Sequence, residues 1–342
     1  MSWLPEPLLP HLLAGAIVVS LTAYVLLAGA DFGGGVWDFF ATGERRARQR
    51  ALIADAIGPI WEANHVWLIL VVVLLFTCFP AVFARLSVTL HIPLTLMLVG
   101  IVARGSAFVF RTYDSQADDV QARWGRIFSI ASIVTPVLLG MCVGAVVAGE
   151  VQPVRPGQAF PDAFVRPWLG PFQLAIGLLA LVLFSFLAAV YLCCEAPDAH
   201  LQEDFRRRAL IAGALVFVGA AVALWLSRDN APLVWQRVFA QRAFALPGQL
   251  VTAASAGTAL AALWARRYAL ARAAAVVQVC FILWGWALAQ YPYLLPPALD
   301  LAAAAAPERT LQLVLAALGA GVVVLAPSLW YLFRVFKGPV AE

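Results

Sequence analysis

The chain has 342 residues, of which 63% are hydrophobic and 12% are charged, and its formal net charge is +4. A soluble protein carries about 25% charged residues, so the composition excludes a soluble globular domain. No basic run with interleaved aromatic residues occurs, which excludes a nucleic-acid-binding protein. The composition predicts an all-α polytopic membrane protein.

The apolar segments predict the number of membrane spans. A helix crosses the hydrocarbon core with about 20 residues. Nine segments reach that length, and they are 11–40, 54–79, 86–111, 124–148, 168–194, 207–227, 247–265, 269–290 and 309–334. We therefore expect nine transmembrane helices within one integral-membrane unit, 1–342. The residues ahead of the first segment have no features of a cleaved leader, so this segment is expected to be a retained span.

The basic residues are distributed unevenly over the predicted loops. Fifteen of the 23 Lys and Arg residues fall in one alternate set of loops and seven in the other, while Arg104 lies inside a span. Cytoplasmic loops carry the excess of basic residues. The distribution therefore predicts an external N-terminus and a cytoplasmic C-terminus, which agrees with an odd number of spans.

The first segment carries two acids near its predicted cytoplasmic end. Asp31 and Asp38 are seven residues apart, which places them on one face of a helix. We expect Asp38 to cap the helix end in solvent. Asp31 lies deeper, and ionisable residues at membrane depth usually serve a site or a pathway. We therefore expect Asp31 to pair with a partner or to handle protons.

The second segment contains the densest group of polar residues in the chain, at 61–65, directly after a Gly-Pro pair at 58–59. The proline is expected to kink or to begin the helix. Asp55 and Glu62 are seven apart and Glu62 and His65 are three apart, so we expect all three on one helix face. For His65 three interpretations stay open: a haem ligand, a member of a proton path, or a hydrogen-bonded structural residue.

The third segment supplies positive charge. Arg104 lies too deep to reach the interface, and a buried arginine requires a carboxylate or an anionic ligand. Asp31 and Glu62 are the available acids, so the first three helices are expected to form a charge-compensated inner face. Arg111, at the predicted cytoplasmic border, is expected to anchor its helix by extending to the interface.

The five cysteines lie inside or at the ends of apolar segments and form no CxxC pair. A buried cysteine without such a motif behaves as a small hydrophobic residue. The spacing therefore predicts neither a zinc site nor an iron–sulfur cluster.

Six motifs, taken together, resemble subunit II of the cytochrome bd-type quinol oxidases. The motifs are GADFGGGVWD at 29–38, GPIWEANHVWLI at 58–69, FPAVFA at 79–84, RGSAFVFR at 104–111, WALAQYPYLLPP at 286–297 and PSLWYLFRVFKG at 327–338. Their order and spacing are kept from the first segment to the C-terminus. The short chain resembles the cyanide-insensitive branch of the family.

The resemblance implies an architecture and a function. The family fold has two four-helix bundles and one peripheral helix, which correspond here to 11–148, 168–290 and 309–342. The family's complex reduces dioxygen to water with electrons from membrane quinol, in the bacterial cytoplasmic membrane. Its subunit I carries the b and d haems. Subunit II is haem-free, is not catalytic alone, and lines a proton path from the cytoplasm; some members hold a structural quinone or lipid or add a small single-helix subunit.

The resemblance also implies roles for individual residues. Asp31, Trp61, Arg104 and Arg111 match the family motifs, whereas Glu62 replaces the commoner aspartate. His65 stands where the commoner pattern has Gln or Glu, and it adds a group that titrates near neutrality. The expected proton path comprises Asp31, Asp55, Glu62 and His65, and the expected charge-pairing and structural residues are Arg104, Arg111, Trp61, Asn64 and Trp67. No catalytic residue and no metal ligand is expected in this chain.

Two alternative functions remain at this point. A proton- or ion-coupled transporter would use a site formed by Asp31, Glu62 and Arg104, although the chain lacks the paired helix breaks of many transporters. A haem-carrying subunit would use His65 and His91 as ligands.

Overall fold

A computed structural model describes residues 8–58, 61–113, 118–239 and 242–337. In these residues, nine helices are long and apolar enough to cross a membrane, which confirms the predicted number of spans. The nine helices are α1 (Leu8–Phe39), α3 (Trp61–Cys78), α5 (His91–Tyr113), α6 (Asp118–Val147), α8 (Pro171–Glu195), α9 (Ala199–Asn230), α11 (Arg242–Trp264), α12 (Tyr268–Gln290) and α14 (Glu308–Lys337).

Shorter elements connect these spans. They are α2 (Arg46–Ile57), α4 (Pro80–Thr89), α7 (Phe160–Phe164), α10 (Pro232–Phe239), β1 (Tyr293–Leu295), β2 (Leu299–Asp300) and α13 (Leu301–Ala304). The two strands pair antiparallel, with Tyr293 opposite Asp300. Prolines begin α4 and α8, where the missing N–H has no intrahelical partner in any case.

The second predicted span falls on two separate helices. The segment expected at 54–79 divides into α2, which ends at Ile57, and α3, which begins at Trp61. The predicted start at 54 is therefore wrong, because residues 54–57 belong to a different helix. Asp55 lies on α2 and Glu62 on α3, so the helical spacing between these two acids does not apply across the interruption.

Helix α1 lies at the centre of the packing. It contacts α3, α6 and α8, and α8 in turn packs on α6 and α9. Gly33 lets the backbones of α1 and α8 touch, because a Cβ at this position would lie 2.0 Å from the carbonyl oxygen of Phe184. Since α1 packs against helices of both predicted bundles, the division into 11–148 and 168–290 stays a prediction.

The last helix lies at the periphery. Most of α14 is exposed on the surface of the chain, with Leu311 near its start as the buried exception among its described residues, and it packs on α1 and α3. One apolar core cluster surrounds Phe32, Phe184 and Phe205, and a second, which the start of α14 joins, surrounds Leu74 and Phe79.

The ends of the helices define two sides of the molecule. Because α1 and α8 run in the same direction, the end of α1, the start of α2, the end of α8 and the start of α9 share one side. This side carries Arg45, Arg48 and Arg206, and we call it the arginine-rich side. It is the side that the loop charges predict to be cytoplasmic.

Candidate functional site

Three polar residues are buried together between α1, α3 and α5. Asp31, Asn64 and Arg104 are 4%, 1% and 1% exposed. The side-chain amide of Asn64 donates a hydrogen bond of 2.7 Å to Oδ2 of Asp31, and Asp31 interacts electrostatically with Arg104. A buried carboxylate that keeps its charge needs such donors and positive charge nearby. We call these three residues the buried polar centre.

Arg104 is held by aromatic rings. Its guanidinium carbon lies 4.8 Å from the centroid of the Phe32 ring and 5.2 Å from that of Phe128, distances at which cation–π attraction operates. Its Nε and Nη2 atoms have no hydrogen-bond partner within the described part of the chain. Arg104 therefore has donor capacity left over in a position closed to bulk solvent.

His65 lies in an aromatic environment beside this centre. Its ring centroid is 6.0 Å from those of Tyr24 and Phe32 and 6.3 Å from that of Trp61. Trp61 and His65 therefore lie on the same side of α3. The Nδ1 atom of His65 is buried and has no hydrogen-bond partner among the described residues.

Glu62 and Asp55 do not join the buried polar centre. Both side chains are exposed on the surface of the chain, so the expected inner face containing Asp31, Glu62 and Arg104 is wrong for Glu62. Successive residues of a helix are rotated by about 100°. Asn64, two residues after Glu62, faces inward and bonds Asp31, and this rotation turns Glu62 outward.

Asp38 is buried at the arginine-rich side, where solvent exposure was expected. Its side chain is 1% exposed. The hydroxyl of Ser129 donates to its Oδ2 at 3.1 Å, and Nε of Arg50 lies 3.6 Å from the same oxygen. Asp38 thus joins α1 to α2 and α6, a role that the position of a carboxylate in the last turn of a span does not reveal.

Ion pairs fasten α2 to α9 on the same side. Arg45 donates two hydrogen bonds, of 2.8 and 2.7 Å, to Asp204, and these bonds raise the pKa of Arg45. Arg48 pairs with Asp198. The backbone N–H of Leu201 lowers the pKa of Asp198 against an opposing desolvation effect, because Asp198 caps the N-terminus of α9. Charge thus holds the short helix α2 against the second half of the chain.

A cavity of about 450 Å³ opens near the buried polar centre, between α1, α2, α8 and α12. Of the residues that line it, four are charged or titratable: Asp31, Tyr191, Glu195 and Arg272. Asp31 is buried, whereas Glu195 and Arg272 are exposed. The cavity therefore extends from the arginine-rich side to the carboxylate of α1.

Comparison with known proteins identifies the family. Residues 9–336 match the family model described as cytochrome bd terminal oxidase subunit II. The chain belongs to this family. Cytochrome bd ubiquinol oxidase subunit 2 of Bacillus subtilis (strain 168) is 31% identical over 221 residues, which are 65% of this chain and 63% of that protein. Cytochrome bd-I ubiquinol oxidase subunit 2 of Escherichia coli (strain K12) is 27% identical over 222 residues, 61% of this chain and 54% of that protein.

The fold agrees with a solved member of the bd oxidases. A chain in the structure of bd oxidase from Geobacillus thermodenitrificans superposes with a TM-score of 0.78 over 96% of this chain and 98% of that chain, at 21% identity. The chain spans somewhat more than half the length of the curated relatives it matches. Membership of this family disfavours the transporter alternative.

The geometry separates His65 from His91, the two residues of the haem-ligand alternative. His65 and Arg104 both contact the ring of Phe32, whereas His91 begins α5, thirteen residues before Arg104. At 1.5 Å per residue this separation is about 20 Å, so the two imidazoles cannot bind one iron. His91 instead packs on Phe164 at 5.0 Å. In the described part of the chain, no group of three His, Cys, Asp or Glu residues could hold a metal ion.

The remaining predicted residues have structural surroundings. Trp61 packs on Phe108 at 6.2 Å, and Trp67 is half-buried against the core. The side chain of Arg111 lies outside the described residues, so its predicted anchoring role stays a prediction.

Proposed function

We propose that the chain is the second subunit of a bd-type quinol oxidase in the bacterial cytoplasmic membrane, with its N-terminus outside. A partner subunit carries the b and d haems, takes electrons from quinol and reduces dioxygen. This chain stabilises that partner and lines a proton path from the cytoplasm. Membership of the subunit II family supports the first part, and the position of Glu62 supports the second.

The exposure of Glu62 at membrane depth is the observation that carries the proposal. Asn64 bonds Asp31, which lies eight residues before the end of α1, or about 12 Å along the helix. Glu62 is about half a helical turn from Asn64, so Glu62 also lies deeper in the membrane than the end of α1. Yet Glu62 is exposed, at the head of an apolar stripe that continues through Val66, Ile69 and Phe76.

A carboxylate exposed to lipid at this depth is costly. Another protein subunit that covers the stripe would remove the cost by supplying a hydrogen-bonding or basic group. The haem-bearing subunit is the partner that the family provides. Glu62 then lies at the boundary between the two subunits, where a proton leaving this chain enters the partner.

The proposed path joins the two carboxylates. Asp31 takes protons from the arginine-rich side, Asn64 holds it in place, and Arg104 stabilises its charged form. Glu62 passes protons to the oxygen-reducing subunit, and the ring of His65 lies within one helical turn of both Asn64 and Glu62. In the complex, each dioxygen takes four electrons from two quinols and four protons from the cytoplasm to form two waters. The quinols release their protons outside.

The haem-free assignment belongs to this proposal. A structural quinone or lipid in this chain, and a small single-helix subunit in the complex, remain part of the same family-based expectation. Membrane quinol is bound and oxidised by the partner.

Replacement of Glu62 by Gln tests the proton path. Glutamine keeps the size of the side chain but cannot carry a proton, so we expect oxygen consumption with quinol to fall at least about tenfold, with the haem spectrum of the purified complex unchanged. The matched control is Glu44→Gln, which removes an exposed carboxylate on the arginine-rich side and should leave turnover unchanged. Full turnover in the Glu62→Gln complex would exclude Glu62 from the path.

A further inference from the structure

The cavity beside Asp31 has a shape that follows the helices. On α1 it is lined by Leu27, Ala30, Asp31 and Gly34, which recur at helical spacing and form one face over about 10 Å. A matching face of α8 carries Tyr191 and Glu195. The two faces therefore run side by side from the arginine-rich side toward the membrane interior.

The polar groups of the cavity run from its opening at the arginine-rich side, which we call its mouth, to its buried end at Asp31. Glu195 ends α8 and Arg272 lies in the second turn of α12, both exposed, while Tyr191 is one turn deeper than Glu195. Asp31, on the opposite helix, is the buried member. The residues that α2 contributes, such as Ile53 and Ile57, carry no titratable group. A solvent-accessible acid is thus connected by open space to a buried one.

Asp31 faces two directions. One of its carboxylate oxygens accepts the bond from Asn64 of α3, and the residue also lines the cavity. It therefore lies between the open space on one side and the helix that carries Glu62 on the other.

We propose that this cavity is a water-filled vestibule through which protons enter from the cytoplasm, with Glu195 as the collecting carboxylate at its mouth. The proposal rests on the proposed function and names the entry of its proton path. Glu195 takes a proton from bulk water. The proton then moves through the vestibule water to Asp31, and Glu195 regains its negative charge. No other reactant is consumed.

Water suits the cavity better than a phospholipid does. At about 30 Å³ per molecule, the volume holds roughly a dozen waters, and carboxylate, phenol and guanidinium groups supply the polar partners that ordered water requires. With two carboxylates and one guanidinium, the charged groups sum to a negative value. The charged groups that line the cavity therefore offer an anionic lipid head group no net attraction.

Cysteine labelling in vesicles that contain the assembled oxidase tests the water content. Ala30→Cys is made in a background with Cys194→Ser and Cys280→Ser, because these two native thiols are only partly buried. The charged, membrane-impermeant reagent MTSET should label Ala30→Cys in inside-out vesicles but not in right-side-out vesicles. Ala56→Cys, on the α2 wall of the cavity, is the second position in case the first variant fails to assemble. Val19→Cys, on the exposed apolar surface of α1, should resist MTSET in both.

The labelling pattern decides the occupant. Reaction of Ala30→Cys and Ala56→Cys with apolar N-ethylmaleimide but not with MTSET would mean that an amphiphile fills the cavity, and resistance to both reagents would mean that it is closed. Either result overturns the vestibule.

The pH dependence of turnover tests Glu195. If Glu195 collects protons, Glu195→Gln should lower oxygen consumption several-fold at alkaline pH, where protons are scarce, and much less at acid pH, with haem content unchanged. A merely structural role would lower turnover equally at all pH values, and that result would remove Glu195 from the path. If Glu195→Gln lacks this pH dependence while Glu62→Gln still lowers turnover, the vestibule proposal is overturned and the proposed function stands.

Discussion

At the residue scale, the buried polar centre depends on one hydrogen bond between two helices. Asn64 donates to Asp31 at 2.7 Å in surroundings that exclude solvent. A hydrogen bond to a buried charged group is worth about 1.5–3 kcal/mol, and loss of one partner leaves the other unsatisfied. Asn64 therefore helps to keep Asp31 charged and oriented, together with the positive charge of Arg104.

A double-mutant cycle measures this bond. Asn64→Leu is nearly the same size but removes the donor, so it should lower the stability of the complex by about 1–3 kcal/mol. Asp31→Leu alone should cost a similar amount. The double variant should cost less than the sum, because the second substitution removes one side of a bond that the first has already broken. Thermal unfolding of the purified complex in detergent gives the values, and strict additivity would show that the two side chains do not interact.

At the element scale, close approach of α1 and α8 fixes where the polar residues lie. Gly33 sits against the carbonyl of Phe184 and the methyl group of Ala188, and the indole N–H of Trp37 donates to the carbonyl of Ser185 at 2.7 Å. Small residues allow such backbone contact between membrane helices. The contact sets the rotation of α1 and hence the direction of Asp31.

Gly33→Ala should separate these helices. The added Cβ would lie 2.0 Å from a backbone oxygen, so one of the two helices must move, at a cost of about 1–3 kcal/mol or more by analogy with overpacked cores. Gly15→Ala is the matched control on the same helix, since a Cβ there meets nothing within 4 Å. We expect a sharp drop in the yield and melting temperature of the complex for the first variant alone. Equal stability of the two would contradict the close contact.

At the scale of the whole molecule, the unequal distribution of arginine predicts the orientation in the membrane. The arginine-rich side holds the ion pairs between α2 and α9 and the mouth of the cavity. A cytoplasmic position for this side would give the cavity access to the protons that oxygen reduction consumes. The same orientation predicts that the opposite side, with α4 and α7, faces outward.

Two single cysteines on opposite sides test the orientation. Thr42→Cys lies in the exposed connection between α1 and α2, and Val154→Cys in the exposed connection between α6 and α7. In right-side-out vesicles MTSET should label Val154→Cys and spare Thr42→Cys, and in inside-out vesicles the pattern should reverse. The reversed pattern in either preparation would invert the proposed topology.

The predicted spans and the observed ones differ mainly at their ends. Even the seventh and least apolar segment, expected at 247–265, corresponds to Ala245–Trp264. Hydropathy predicts spans well because insertion depends on the summed transfer free energy of about 20 consecutive residues, which is a local property. Proline chemistry also predicted that a helix would kink or begin near 58–59. The separate helices α2, which ends at Ile57, and α3, which begins at Trp61, agree with that expectation.

The sequence by itself determined the number of membrane spans, the family and the residue types of the polar centre. The direction in which each polar residue points was decided only by the tertiary structure. In a soluble helix the apolar stripe marks the inner face, but in a membrane the outer face is apolar too, so the pattern carries little information about rotation. The stretch at 61–65 therefore predicted that polar groups serve a site, while packing of α3 against α1 decided that Asn64 meets Asp31 and that Glu62 faces outward.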